Sequence, residues 1–126
     1  MHNVRIDFTQ NDVPRNLPEE VSICLFRVLQ EALQNAVKYS GTDHFEVDLR
    51  GTSADIRLTV RDDGRGFNVD DAMRTKGLGL VSMRERVNLV KGSIVIQSKP
   101  MMGTEITVRV PVTVADRTSG VTSGVA

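Results

Sequence analysis

Apolar and polar positions alternate over residues 4–8, with Val4, Ile6 and Phe8 set against Arg5 and Asp7, and this predicts a half-buried strand. Residues 11–18 carry Asn, Asp and two prolines and read as a connection. Residues 19–39 form one helical pattern, in which Leu25, Leu29, Ala32, Leu33 and Ala36 recur at three- and four-residue steps as an apolar arc. Ser40-Gly41-Thr42 stops it, with Gly41 as the left-handed cap. Two short alternating runs follow, Phe45-Val47-Leu49 and Ile56-Leu58-Val60, and the Gly51-Thr52-Ser53 between them marks a hairpin. Residues 62–76 are rich in Gly, Asp and Arg and predict a loop with one helical turn. A second helix over 80–89 sets Leu80, Met83, Val87 and Val90 on one face and ends at Gly92. Residues 93–98 and 104–110 make a last pair of strands around Lys99-Pro100-Met101-Met102-Gly103.

The order strand, helix, hairpin, helix, hairpin predicts an α+β fold: a two-layer sandwich whose mixed, mainly antiparallel sheet is covered on one face by helices. Residues 1–111 form the expected domain, and 112–126, where periodicity ceases, a disordered tail. At 126 residues the chain can bury a core without staples, and 40% hydrophobic with 25% charged residues describes a globular protein. Sixteen basic residues balance sixteen acidic ones, which argues against a nucleic-acid partner. A single cysteine, Cys24, set near the polar side of the first helix, points to a cytoplasmic home and an ordinary thiol. No apolar run approaches the roughly 18 residues of a membrane span. Two histidines, His2 and His44, argue against a multi-histidine metal site.

Four groups of residues carry candidate chemistry. On the first helix, Glu31, Asn35 and Lys38 lie at about 0°, 40° and −20°, one narrow stripe. An acid, an amide oxygen and an ammonium in a row suit a magnesium phosphate, although a solvated helix face has the same pattern. In Asp62-Asp63-Gly64-Arg65-Gly66, strand parity sets Asp62 with Ile56, Leu58 and Val60 on the covered face. An inward carboxylate requires a hydrogen-bonding partner, and Gly64 and Gly66 remove the Cβ atoms that would hold off a flat ligand. The same residues also make an ordinary Asp-Gly turn. Lys76-Gly77-Leu78-Gly79-Leu80 opens the second helix and frees backbone N–H groups for an anion, or else is simply a loop; it lacks the GxxxxGK[ST] spacing. Thr104, after Gly103, shares the parity of Ile106, Val108 and Val110 and points inward as a ligand contact or a core threonine.

Taken together, E-x3-N-x2-K, DxGxG, GxGL and GT in this order resemble the ATP-binding domain of sensor histidine kinases, within the wider Bergerat-fold ATPases. EALQNAVKYS, RDDGRGF and KGLGLVSMRERV look especially like the subfamily that pairs with helix-turn-helix response regulators. The resemblance spans residues 4–111. It implies that Asn35 coordinates Mg²⁺ on the ATP phosphates, that Lys38 meets a phosphate, and that Glu31 orients or deprotonates the attacking group. It implies an Asp62 bond to the adenine amino group, Gly64 and Gly66 beside the base, and Thr104 supporting it directly or through a water. Tyr39 and Lys76 join the nucleotide site, and Gly77, Leu78, Gly79 and Leu80 wrap the triphosphate from a lid over residues 67–76.

Relatives of this type often have His where Tyr39 stands and a glycine-rich stretch where Met101-Met102 stands. The histidine-bearing hairpin that dimerises and accepts the phosphate is absent, and neither His2 nor His44 lies in such a helix. The expected function is therefore to bind Mg-ATP and donate its γ-phosphate to a histidine on a separate dimerisation domain, with a response regulator downstream. Alternatives within the fold are a stand-alone ATPase, a serine-directed kinase of the anti-sigma type, or a nucleotide-sensing module without turnover.

Overall fold

A computed structural model describes residues 5–41, 43–74 and 79–112, apart from the side chains of Tyr39 and Ser40. Five strands form one sheet: β1 (Arg5–Asn11), β2 (His44–Gly51), β3 (Asp55–Asp62), β4 (Ser93–Ser98) and β5 (Thr104–Pro111), in the order β1-β2-β3-β5-β4. The β1–β2 pair is parallel and the other three are antiparallel, the mixed sheet that the element order implies. Helices α1 (Glu19–Asn35), α2 (Val69–Arg74) and α3 (Leu80–Leu89) complete the domain.

Alternation along the strands decides which face the helices cover. In β3 and β5 the buried positions are Ile56, Leu58 and Val60, and Ile106, Val108 and Val110. They meet Val28 and Ala32 of α1 and Met83 and Val87 of α3 in one core. The opposite face is polar, and there Arg61 bonds Glu105 (2.8 Å) and Glu46 (3.3 Å). The start of β3 is held by Asp55, a buried carboxylate between Arg57 (3.3 Å), Arg109 (3.2 Å) and the Thr52 hydroxyl (2.7 Å). This clasp leaves the other end of the strand, at Asp62, to the site.

Three local expectations differ from the structure. The first helix is not α-helical to residue 39: it passes at Ala36 into a π-helical turn, Ala36–Ser40. Wider i→i+5 bonding swings the following residues about the axis, so the stripe arithmetic that sets Lys38 in line with Glu31 ends at Asn35. Gly41 does close this segment in a left-handed conformation (φ 69°). Cys24 is in the core, 2% exposed, with Sγ 3.7 Å from the Arg86 carbonyl. The buried arc runs through Val21, Cys24, Leu25, Val28 and Ala32 because α3 packs on the flank that an isolated helix would show to water. Burial pushes the Cys24 thiol pKa up, the nearby Arg86 opposing.

At the end of α3, Lys91 is left-handed (φ 59°) and the Gly92 N–H closes on the Val87 carbonyl at 3.0 Å, so the helix does end before Gly92. Val112, assigned by its sequence to the tail, is buried and donates its N–H to Ala54 (3.0 Å). The remaining tail, residues 113–126, lies outside the described residues.

Candidate nucleotide site

Two of the sequence-predicted groups gather at the end of the β3–β5–β4 ladder. Asp62 and Thr104 are register partners, as are Thr104 and Ser98, so the three side chains stand in one row on the covered face. The Asp62 carboxylate accepts the Gly64 N–H at 2.9 Å, an Asx turn that fixes the strand's exit. Thr104 is 8% exposed and its hydroxyl lies 2.8 Å from Ser98 Oγ. A cavity of about 680 Å³ opens here, lined in part by Asp62, Val69, Ile96, Ser98, Met102 and Thr104. That volume falls within the range of small-molecule pockets, roughly 300–1,000 Å³, and the lining also includes the charged residues Arg61, Asp63, Lys99 and Glu105.

Gly66 has a structural reason that the sequence does not reveal. Its φ is 64°, and a Cβ there would overlap the Lys99 carbonyl oxygen and stand 2.8 Å from that of Gly103. The DxGxG loop is thus clamped against the β4–β5 turn, where the Met101 N–H also bonds the Arg65 carbonyl. Gly66 is required by backbone packing, whatever it also allows a ligand to do.

The second gathering is at the α1–α3 contact. Glu31 packs on Gly79, the residue that caps α3, so closely that a Cβ on Gly79 would overlap its Oε1. Together they line a polar cavity of about 130 Å³ with Arg27, Ser82 and Arg86. Glu31 is therefore half-buried beside the start of α3 rather than on a solvated face. Asn35 stands at the last residue of α1, where the helix widens, and Lys38 is exposed one turn on. The Leu80 side chain is in the core at 2% exposure, which leaves only its backbone for a ligand. Arg84 is exposed on α3.

The segment between the two gatherings contains α2, its first turn capped by Asn68 Oδ1 on the Asp71 N–H (3.0 Å). The sequence anticipates one helical turn there; α2 runs to six residues because Ala72 is buried beneath it. Lys76, Gly77 and Leu78, and the side chain of Tyr39, lie outside the described residues. No sequence motif marks Ser98. The available signal is parity, since it follows Ile94 and Ile96 on the inward side of β4.

The domain is thus a two-layer sandwich with an inward Asp-Thr pair at the end of two neighbouring strands. The chain belongs to the family of histidine kinase-, DNA gyrase B- and HSP90-like ATPases, whose description matches residues 20–114. It is 39% identical over 109 residues to the signal transduction histidine-protein kinase/phosphatase DegS of Brevibacillus brevis, covering 86% of this chain and 28% of that protein. It is 37% identical over 112 residues to the oxygen sensor histidine kinase NreB of Staphylococcus carnosus, covering 89% of this chain and 32% of that one. The chain thus spans about a third or less of these curated relatives. Among solved structures, the blue-light activated histidine kinase of Erythrobacter litoralis EL346 matches with a TM-score of 0.69 at 24% identity, over 94% of this chain and 38% of that one. Acinetobacter baumannii histidine kinase AdeS matches with a TM-score of 0.69 at 19% identity, over 86% and 54%. These two likenesses establish the fold.

Proposed function

We propose that this domain binds Mg-ATP and donates the γ-phosphate to a histidine on a separate dimerisation domain of a two-component sensor kinase. The observation that carries the reading is the Asp62–Thr104 pair opening into the 680 Å³ cavity of a chain that belongs to this ATPase family. Asp62 accepts a hydrogen bond from the adenine amino group, with Thr104 beside it. Asn35, Lys38 and Lys76 serve the phosphates, with Tyr39 beside them, and residues 77–80 wrap the triphosphate at the start of α3.

The magnesium ion would take Asn35 as its ligand from this chain. Among the described residues no group of three or more His, Cys, Asp or Glu side chains could hold a metal. A hard cation here would take the amide oxygen of Asn35 and draw its other ligands from phosphate and water, which is how Mg²⁺ commonly binds with nucleotides. When bound, it neutralises charge on the phosphates. The chain's own groups do the rest: they fix the base, hold the γ-phosphate in line, and present it to the imidazole. Transfer forms a bond from imidazole nitrogen to the γ-phosphorus and breaks the β–γ bridge, releasing ADP. Glu31, half-buried beside Gly79, orients the incoming histidine or takes its proton.

Acceptor and donor would then lie on different domains, which agrees with His44 standing at the start of a strand. Among the described residues no helix is long and apolar enough to cross a membrane. A cytoplasmic location and a response regulator that takes the phosphate complete the proposal. The test mixes this chain with a separately produced histidine-bearing hairpin, γ-labelled ATP and Mg²⁺. Acid-labile label is expected on the hairpin and none on this chain. Label on this chain, or none on the hairpin, would contradict the assignment.

A further inference from the structure

Helix α2 is six residues long, and a helix that short does not stand on its own in water. Three consecutive residues fix its start. Phe67 donates its N–H to Ser98 Oγ at 2.9 Å. Asn68 caps the first turn, its Oδ1 accepting the Asp71 N–H and its carbonyl the Ala72 N–H, each at 3.0 Å. Val69 then opens the helix and lines the cavity of about 680 Å³ together with Ser98 and Thr104.

The Ser98 hydroxyl is itself held in place. It is half-buried, donates to the Gly103 carbonyl at 3.0 Å, and lies 2.8 Å from Thr104 Oγ1. Its proton goes to Gly103 while a lone pair receives Phe67, so both bonds form at once. The chain enters this tie from Gly66, already clamped on the Lys99 and Gly103 carbonyls. A fixed point on the β4–β5 turn thus lies two residues before the cavity wall at Val69.

We infer that Ser98 is a positioning residue of the nucleotide cavity, which through the Phe67 N–H holds Val69 as a wall against the bound nucleotide. The inference rests on the nucleotide reading above and deepens it. Without the hydroxyl the Phe67 N–H loses its acceptor, the first turn of a marginal helix loosens, and Val69 no longer closes that side of the cavity. By linkage, a nucleotide that contacts Val69 tightens the same bond in return.

The experiment titrates Mg-ATP into the 126-residue chain, Ser98→Ala, Val69→Ala and the double variant. Ser98→Ala is expected to weaken binding about three- to tenfold, the scale of one neutral hydrogen bond. Val69→Ala is expected to weaken it about three- to fivefold in the wild-type background, but less than about twofold once Ser98 is replaced. Ser98→Thr keeps the hydroxyl and is expected to keep the affinity. Losses that multiply in the double variant would mean that Ser98 serves ATP without Val69, as a merely structural residue or through Thr104 alone. That result overturns the inference while ATP binding itself stands. A second measurement needs no variant: saturating Mg-ATP is expected to slow hydrogen exchange at the Phe67 and Ala72 amides, and unchanged exchange there overturns the inference as well. A wild-type chain that does not bind Mg-ATP overturns the site reading as a whole.

Discussion

Asp62→Ala is expected to weaken Mg-ATP binding by roughly ten- to a hundredfold while the domain stays folded. A hydrogen bond to a charged group contributes about 1.5–3 kcal/mol, and each 1.4 kcal/mol is a factor of about ten in affinity. The carboxylate also serves the fold, since it accepts the Gly64 N–H at 2.9 Å. That bond lies at the exit of β3, where water can reach the freed N–H, so its loss is expected to cost only about 1 kcal/mol of stability. Asp62→Asn keeps one acceptor oxygen and should fall between wild type and Asp62→Ala. Calorimetric titration gives the affinity and denaturant melts the stability. An unchanged dissociation constant in Asp62→Ala would remove the adenine assignment.

The second large effect is on stability. Gly66→Ala is expected to destabilise the domain by about 2–5 kcal/mol, because two costs add. A non-glycine residue at positive φ costs about 1–2 kcal/mol, and forcing a Cβ into filled space about 1–3 kcal/mol more. Here the space is filled by the backbone carbonyls of Lys99 and Gly103, which cannot swing aside as a side chain would. Gly41→Ala is the matched control. Its φ is 69°, but the nearest atom to an added Cβ is Arg65 Nε at 3.5 Å, an ordinary contact. It should show the conformational cost alone, about 1–2 kcal/mol. Equal losses in the two variants would mean that the β4–β5 turn yields freely to the DxGxG loop.

These two glycines show where sequence reasoning reaches and where it stops. Gly41 was legible because a left-handed cap is a local demand of a helix end. Gly66 depends on residues 99 and 103, brought beside it only when β3, β5 and β4 pair, so its sequence neighbours suggest a ligand rather than a backbone contact. Strands and hairpins were readable for the local reason again: alternation in Ile56-Leu58-Val60 and Ile106-Val108-Val110 reports one covered face directly. That same parity brought Asp62 and Thr104 inward without any knowledge that they are register partners.

Cys24 failed in the opposite way. Its burial is set by α3 packing against α1, a contact that the spacing within α1 does not contain. The π-helical turn at Ala36–Ser40 was hidden because Val37, Lys38 and Tyr39 look no different from residues of a continuing α-helix. Ser98 carries no motif, and its meaning arises from three partners contributed by residues 67, 103 and 104.

The central claim is that a purine nucleotide seats its base on the inward carboxylate at the end of β3. A crystal structure of this chain with Mg²⁺ and a non-hydrolysable ATP analogue tests it most directly. The account predicts the adenine amino group within hydrogen-bonding distance of Asp62, and the metal bound to the Asn35 amide oxygen. A base seated away from Asp62, or a metal held without Asn35, would contradict it.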